Sequence, residues 1–214
     1  MSIAAFWPSA PLLIYGIITT LELSILAALF GTAIGGMVAA ARYFRIPMLA
    51  QIGTLYVQIF RGSPLLITLL FVYFGMASFG VNVDVFVAAI IGLSVYSGAF
   101  IGEIIRSGLE AVPISQWEAA SILGLNGRST FFRVILPQTG RVIFPPLVGQ
   151  YIALIKDSSL AFMIGVVELM KRGQSIVDRI GDPVVVYGAV AVLYFVVCYP
   201  LSIWVRRIEK RKDS

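Results

Sequence analysis

Histidine is absent from this chain, cysteine occurs once, and charged residues make up only 13% of its 214 positions. Without histidine there is no His-based metal site and no histidine general base. Cys198, alone inside the last apolar run, cannot close an internal disulfide and reads as a small core hydrophobe. Met1–Pro8 carries no basic residue, and no A-x-A-like cleavage site follows the first apolar run. That argues against a cleaved signal peptide and for a first span that inserts itself. No G-x-x-x-x-G-K-[ST] phosphate loop is present, which excludes the usual mode of ATP binding, and no G-x-S-x-G nucleophile elbow appears. No second domain, linker, low-complexity segment or clear internal repeat stands out.

What fills the chain instead is apolar. Hydrophobic residues reach 59%, against roughly 45–50% in soluble domains, and mean hydropathy is +0.93. About five runs are long enough to cross a bilayer, each needing roughly 17–25 residues. They lie near Leu12–Ala41, Pro64–Phe79, Val83–Ile105, Val142–Val167 and Val184–Val205. The second is short, and is expected to continue the apolar Met48–Phe60 segment across a local break at Gly62-Ser63-Pro64. Pro145-Pro146 is expected to disturb the start of the fourth. The fold class is therefore an all-α polytopic membrane protein, one transmembrane domain over 1–214.

The charge of +5 is distributed as a membrane protein distributes it, not as a nucleic-acid binder does. Arg42, Arg45, Arg61, Arg106, Arg128, Arg133, Arg141, Arg206, Arg207, Lys210, Arg211 and Lys212 fall on one side of the spans. Lys156, Lys171, Arg172 and Arg179 lie in or beyond the fourth span, with Asp157, Glu168, Asp178 and Asp182 nearby. By the positive-inside rule the N-terminus is outside and the C-terminus cytoplasmic. The loop at about 111–141 is then cytoplasmic too.

That loop holds the most informative stretch. Ser115 and Glu118 stand at S-x-x-E spacing, expected to form a capping box. Gly124 supplies a left-handed residue to end the helix, and Asn126-Gly127 turns the chain. Glu118-Ala119-Ala120, Gly124 and Ile135-Leu136-Pro137 resemble the "EAA" loop of bacterial ATP-binding-cassette importer permeases. Arg61-Gly62-Ser63-Pro64-Leu65-Leu66, Glu103-Ile104-Ile105-Arg106-Ser107-Gly108 and Lys156-Asp157-Ser158-Ser159-Leu160 are similar to the polar amino acid (histidine/glutamine-type) branch of that family. The resemblance runs from about Gly16 to the C-terminus.

The resemblance implies a permease subunit of the bacterial inner membrane, paired with a second permease subunit, the same chain or a paralogue. Cytoplasmic ATP-binding subunits would hold ATP and Mg and drive it, and an extracytoplasmic solute-binding protein would deliver the amino acid. The chain itself would need no cofactor and would not be an enzyme. Glu118, Ala119, Ala120, Gly124 and Leu125 would meet the ATPase, with Gln116–Leu123 as a coupling helix. An ion-coupled secondary transporter or channel subunit is the alternative from another class, and a non-transporting scaffold would leave the membrane charges unexplained.

Those charges are costly, at least about 2.5–3.5 kcal/mol each at mid-bilayer unless paired or facing water. Glu103 and Arg106, spaced i, i+3, are expected to form a structural ion pair. Lys156 and Asp157 are adjacent, so they do not face each other, and are expected where a helix breaks and lines a cavity. Glu22, with no partner close in sequence, is expected to point into the assembly. Glu22, Tyr96, Gln150, Lys156, Asp157 and Ser158 form the candidate substrate pathway. Gly31 and Gly35 make a G-x-x-x-G in the first span, expected to serve close helix packing.

Overall fold

A backbone in lipid has no water to bond, so apolar runs of this length satisfy their own hydrogen bonds as helices. The computed structural model describes residues 7–210, and every regular element among them is helical. Met1–Phe6, Arg211 and Lys212, used in the charge reading, lie outside the described residues, as does the side chain of Lys210. A 3-10 turn, Trp7–Ser9, leads into α1 (Ala10–Tyr43). Then follow α2 (Leu49–Gly62), α3 (Leu65–Ser78), α4 (Val85–Glu110), α5 (Ile114–Ile122) and the single turn α6 (Gly127–Thr130). A π-helical segment, Phe131–Ile135, opens α7 (Leu136–Asp157). A 3-10 segment, Ser158–Ile164, then leads to α8 (Leu169–Ile180) and α9 (Pro183–Lys210). Among the described residues four stretches are long and apolar enough to cross a membrane, or five if the bent pair of α2 and α3 counts as one span.

One expectation about helix breaks holds and one is corrected. The break at Gly62-Ser63-Pro64 is present, and across it the axes of α2 and α3 turn by 111°. Ser63 and Pro64 are both extended, at ψ 150° and 138°. A residue before proline is pushed out of the helical region, so the chain leaves one helix and starts another in a new direction. Pro145 and Pro146, by contrast, do not break the fourth span. α7 runs through both, and the irregular turn sits earlier, at Phe131–Ile135. Prolines are tolerated inside membrane helices where neighbours and local π adjustments absorb the missing donor.

The glycines set the tightest packing. On α1, Gly31 and Gly35 face Gly98 and Gly102 of α4. A Cβ on Gly35 would stand 2.8 Å from both the Gly102 nitrogen and the Gly98 carbonyl oxygen, and one on Gly31 would collide with the Ser97 hydroxyl. Small residues at this spacing let two backbones touch. The motif thus serves packing within this subunit, while Gly36 faces open space. The Tyr56 hydroxyl of α2 donates to the Val95 carbonyl of α4, and the Thr32 and Tyr151 hydroxyls bond at 2.8 Å to join α1 to α7. The main core gathers Leu23, Leu69, Leu93, Leu154 and Ile164 around this crossing. Cys198 is buried against Ile152 and Ile155. On the side opposite the 111–135 loop, α8 turns Leu169 and Ile176 inward onto Leu13, Val186 and Val190, and leaves Ser175, Asp178 and Arg179 exposed.

Candidate functional site

The loop between α4 and α7 is a small folded unit. α5 begins after Pro113, whose extended backbone (ψ 143°) makes it the N-cap, without a side-chain capping bond. Ser115 is therefore already inside the helix, and the expected capping box with Glu118 does not form: an N-cap residue must have non-helical backbone. The other end behaves as its glycine requires. Gly124 adopts φ +75°, its N–H donates to the Ser121 carbonyl at 3.0 Å, and Leu125 N–H donates to the Ala120 carbonyl at 3.0 Å. This paired closure satisfies two orphan carbonyls. Asn126 caps the next turn by accepting from Ser129 N–H at 2.9 Å.

Of the residues expected to meet the ATPase, Glu118, Ala119 and Gly124 are exposed and Leu125 is half-buried, but Ala120 is buried within the loop itself. What α5 presents instead is apolar: Ile114, Ile122 and Leu123 are 73%, 86% and 79% exposed. The sequence reading missed these, although three large apolar residues on a polar-ended helix are a legible signal. Behind them Trp117 packs with Leu109, Val112 and Ile135, and Gln138 donates to the Gln116 side chain at 3.2 Å. Phe131 makes an edge contact with Phe44, just past the end of α1, at 5.3 Å between ring centres. Packed rings therefore connect this loop to the ends of α1 and α4. Phe44, Trp117, Arg128, Phe131 and Phe132 line a cleft of about 510 Å³ beside it.

Deeper on the same side lies a charge cluster. Glu103 Oε1 accepts from Arg106 Nη2 at 2.5 Å, and Oε2 accepts from Arg42 Nη1 at 2.5 Å. Arg61 stands farther off, at 3.9 Å, and Arg106 also holds Glu110 at 2.5 Å. Arg42 is the partner that the i, i+3 reading could not supply, since it lies 61 positions away on α1.

The candidate pathway residues do not form one cluster. Tyr96 on α4 and Asp157, the last residue of α7, lie within electrostatic reach of each other. Lys156 next to it is exposed. The α-helix gives way to a 3-10 segment directly after Asp157. Glu22 is exposed and Gln150 half-buried. Ser158 is fully buried, its hydroxyl donating to the Ile155 carbonyl at 2.8 Å, so it faces no path in this conformation.

Glu168, which the sequence reading left among flanking charges, is fully buried. It caps α8, accepting from Met170 and Lys171 N–H at 2.9 and 2.8 Å, and from the Tyr194 hydroxyl at 3.1 Å and the Thr20 hydroxyl at 3.4 Å. Burial holds its carboxyl above the ordinary carboxylate range, opposed by the backbone N–H groups of Met170 and Lys171.

Comparison with known proteins finds relatives along nearly the whole chain. Residues 31–214 match the family described as "Binding-protein-dependent transport system inner membrane component". The L-cystine transport system permease protein TcyB of Bacillus subtilis (strain 168) is 40% identical over 210 residues, covering 98% of this chain and 88% of that one. The glutamine transport system permease protein GlnP of Escherichia coli (strain K12) is 37% identical, covering 97% and 96%. A crystal structure of an amino acid ABC transporter with histidines superposes with a TM-score of 0.92, at 32% identity over 99% of both chains. An inward-facing MetNI methionine ABC transporter gives 0.79 at 25% identity over the same share.

Proposed function

This chain belongs to the family of binding-protein-dependent transport system inner membrane components, and we propose that it carries polar amino acids inward across the bacterial inner membrane. It is an integral membrane permease subunit and not an enzyme, with ATP hydrolysis in separate subunits. The observation that carries the mechanism is the loop: a helix closed at its C-terminal end, showing Ile114, Ile122 and Leu123 outward and tied inward to α1 and α4. In our reading, cytoplasmic ATPase subunits holding ATP and Mg grip this helix at Glu118, Ala119, Gly124, Leu125 and those three apolar residues. Their closure moves it as a lever between inward-facing and outward-facing states. The loop side is then cytoplasmic and the N-terminus outside, as the basic residues argue. The whole chain, 1–214, works as one permease domain.

Glu22 and Lys156 support a second permease subunit. Both are exposed on membrane-embedded helices, where lipid contact would cost about 2.5–3.5 kcal/mol each. They belong against a partner copy or a water-filled path between copies. A zwitterion needs partners for both its charges when stripped of water, and Glu22 suits its ammonium while Lys156 suits its carboxylate. Tyr96, Asp157 and Gln150 supply further polar contacts, and a solute-binding protein on the outer side delivers the amino acid.

Reconstitution tests the function. Uptake of labelled glutamine or cystine should require the permease, its ATPase, ATP and the binding protein together. Uptake by the purified chain alone in an ion gradient would overturn the importer reading. Gly124→Val tests the lever. Nothing lies within 4 Å of the added Cβ, so the cost is backbone strain alone, about 1–2 kcal/mol. The variant should insert normally yet hydrolyse ATP without matching uptake, and normal coupling would remove the mechanism.

A further inference from the structure

The charge cluster opens into a cleft of about 490 Å³ between α1, α2 and α4, lined by Arg42, Thr54, Gln58, Arg61, Phe100 and Glu103. We propose that this cleft holds the phosphate of an anionic phospholipid, with its acyl chains lying along α2. Three arginines (42, 61 and 106) meet two carboxylates (103 and 110), so one positive charge is left over. Geometry identifies it. Arg42 and Arg106 grip Glu103 at 2.5 Å, whereas Arg61 stands 3.9 Å away and its side chain is 46% exposed. Among the described residues its guanidinium makes no hydrogen bond and rests instead over the Phe100 ring, 5.7 Å from the centre. A guanidinium with its fork free, beside the amide of Gln58, suits a phosphate oxygen pair, which it can hold with two parallel bonds.

The surroundings choose an amphiphile over a soluble anion. A shallower groove of mixed character continues from the cleft along α2, lined by Ala50, Gln51, Thr54, Leu55 and Gln58, and farther round the helix from Arg61 the side chains of Leu55 and Ile59 are 58% and 52% exposed. Acyl chains can cover those side chains; free phosphate cannot. The cleft sits on the side of the 44–48 loop, with most of the arginines, where basic pockets between membrane helices meet lipid headgroups.

The test uses the assembled transporter in nanodiscs of phosphatidylcholine carrying a fraction of phosphatidylglycerol. Native mass spectrometry counts the lipids retained. The intact complex should retain phosphatidylglycerol in preference to phosphatidylcholine. Arg61→Gln should weaken retention roughly tenfold or more, as loss of a charged hydrogen bond does. Arg61→Lys should fall between, because it keeps the charge but not the fork, and it carries the comparison if the Gln variant fails to assemble. The exposed Arg133→Gln, on the same side, should retain lipid as the unaltered protein does. Undiminished retention by both Arg61 variants overturns the site, and so does an equal loss in Arg133→Gln. Displacement of phosphatidylglycerol by millimolar inorganic phosphate would give the cleft to a soluble anion and overturn the lipid assignment.

Discussion

Glu103 and Glu168 are both taken out of bulk water, and they are satisfied in opposite ways. Glu103 gathers Arg42 and Arg106 at 2.5 Å with Arg61 beyond, so its charge is cancelled by charge. Among the described residues Glu168 gathers no cation; it is held by two backbone N–H groups and the hydroxyls of Tyr194 and Thr20. The first ties α1 to α4 on the loop side, and the second fastens α8 to α1 and α9 on the other. A carboxylate paired with cations costs most when it alone is removed, because the cations stay behind uncompensated. A carboxylate held by dipoles loses only hydrogen bonds, and its proton can substitute for its charge.

The sharpest break is therefore Glu103→Gln. It leaves Arg42 and Arg106, only 14% and 21% exposed, facing a neutral amide, and should cost about 3 kcal/mol. The readout is the thermal midpoint of the detergent-solubilised permease, with loss of the monodisperse species as the extreme outcome. Glu168→Ala removes the α8 cap and two hydroxyl partners, for about 2 kcal/mol. Glu168→Gln, which keeps an acceptor, should cost about 1 kcal/mol. A Glu168→Ala loss equal to that of Glu103→Gln would erase the distinction.

Acidity sharpens it further. Because burial raises the Glu168 carboxyl above its ordinary value, the folded protein binds that proton more tightly than the unfolded chain does. The stability this gives is full below the ordinary glutamate value of about 4.3 and is lost as pH rises through the raised folded value. Between those two points the thermal midpoint of the unaltered protein should gain on that of Glu168→Gln as pH falls. Parallel midpoints across that window would show that the carboxyl is not perturbed. The smallest effect belongs to Glu110→Gln. Glu110 is 55% exposed and pairs with Arg106 at i, i+4, worth about 0.3–0.5 kcal/mol, so its midpoint should barely move.

Local chemistry was legible in the order of residues, and its limits are equally physical. Gly124 could be read as a helix stop because a left-handed residue is a backbone requirement of one position. Asn126 could be read as a change of chain direction for a different reason, because its side-chain oxygen caps the amide three residues on. Glu103 with Arg106 was visible because three positions bring side chains together on any helix. The capping box was misread because Ser115 and Glu118 fix only a spacing, while Pro113, two residues earlier, had already taken the cap. That Ala120 is buried could not be read from the order of residues, because which face of a short helix turns inward is set by tertiary packing.

By itself, then, the sequence determined the membrane, the helices, the approximate spans and the family loop, since hydropathy, glycine and proline act through the backbone within a few residues. Tertiary structure alone decided what crosses long distances. It brought Arg42 to Glu103 and Thr20 and Tyr194 to Glu168, set Gly31 and Gly35 on Gly98 and Gly102, and held Arg61 over the Phe100 ring at 3.9 Å from Glu103. Such contacts depend on how helices cross, and a crossing is fixed by close packing of whole surfaces rather than by any spacing along one strand of sequence.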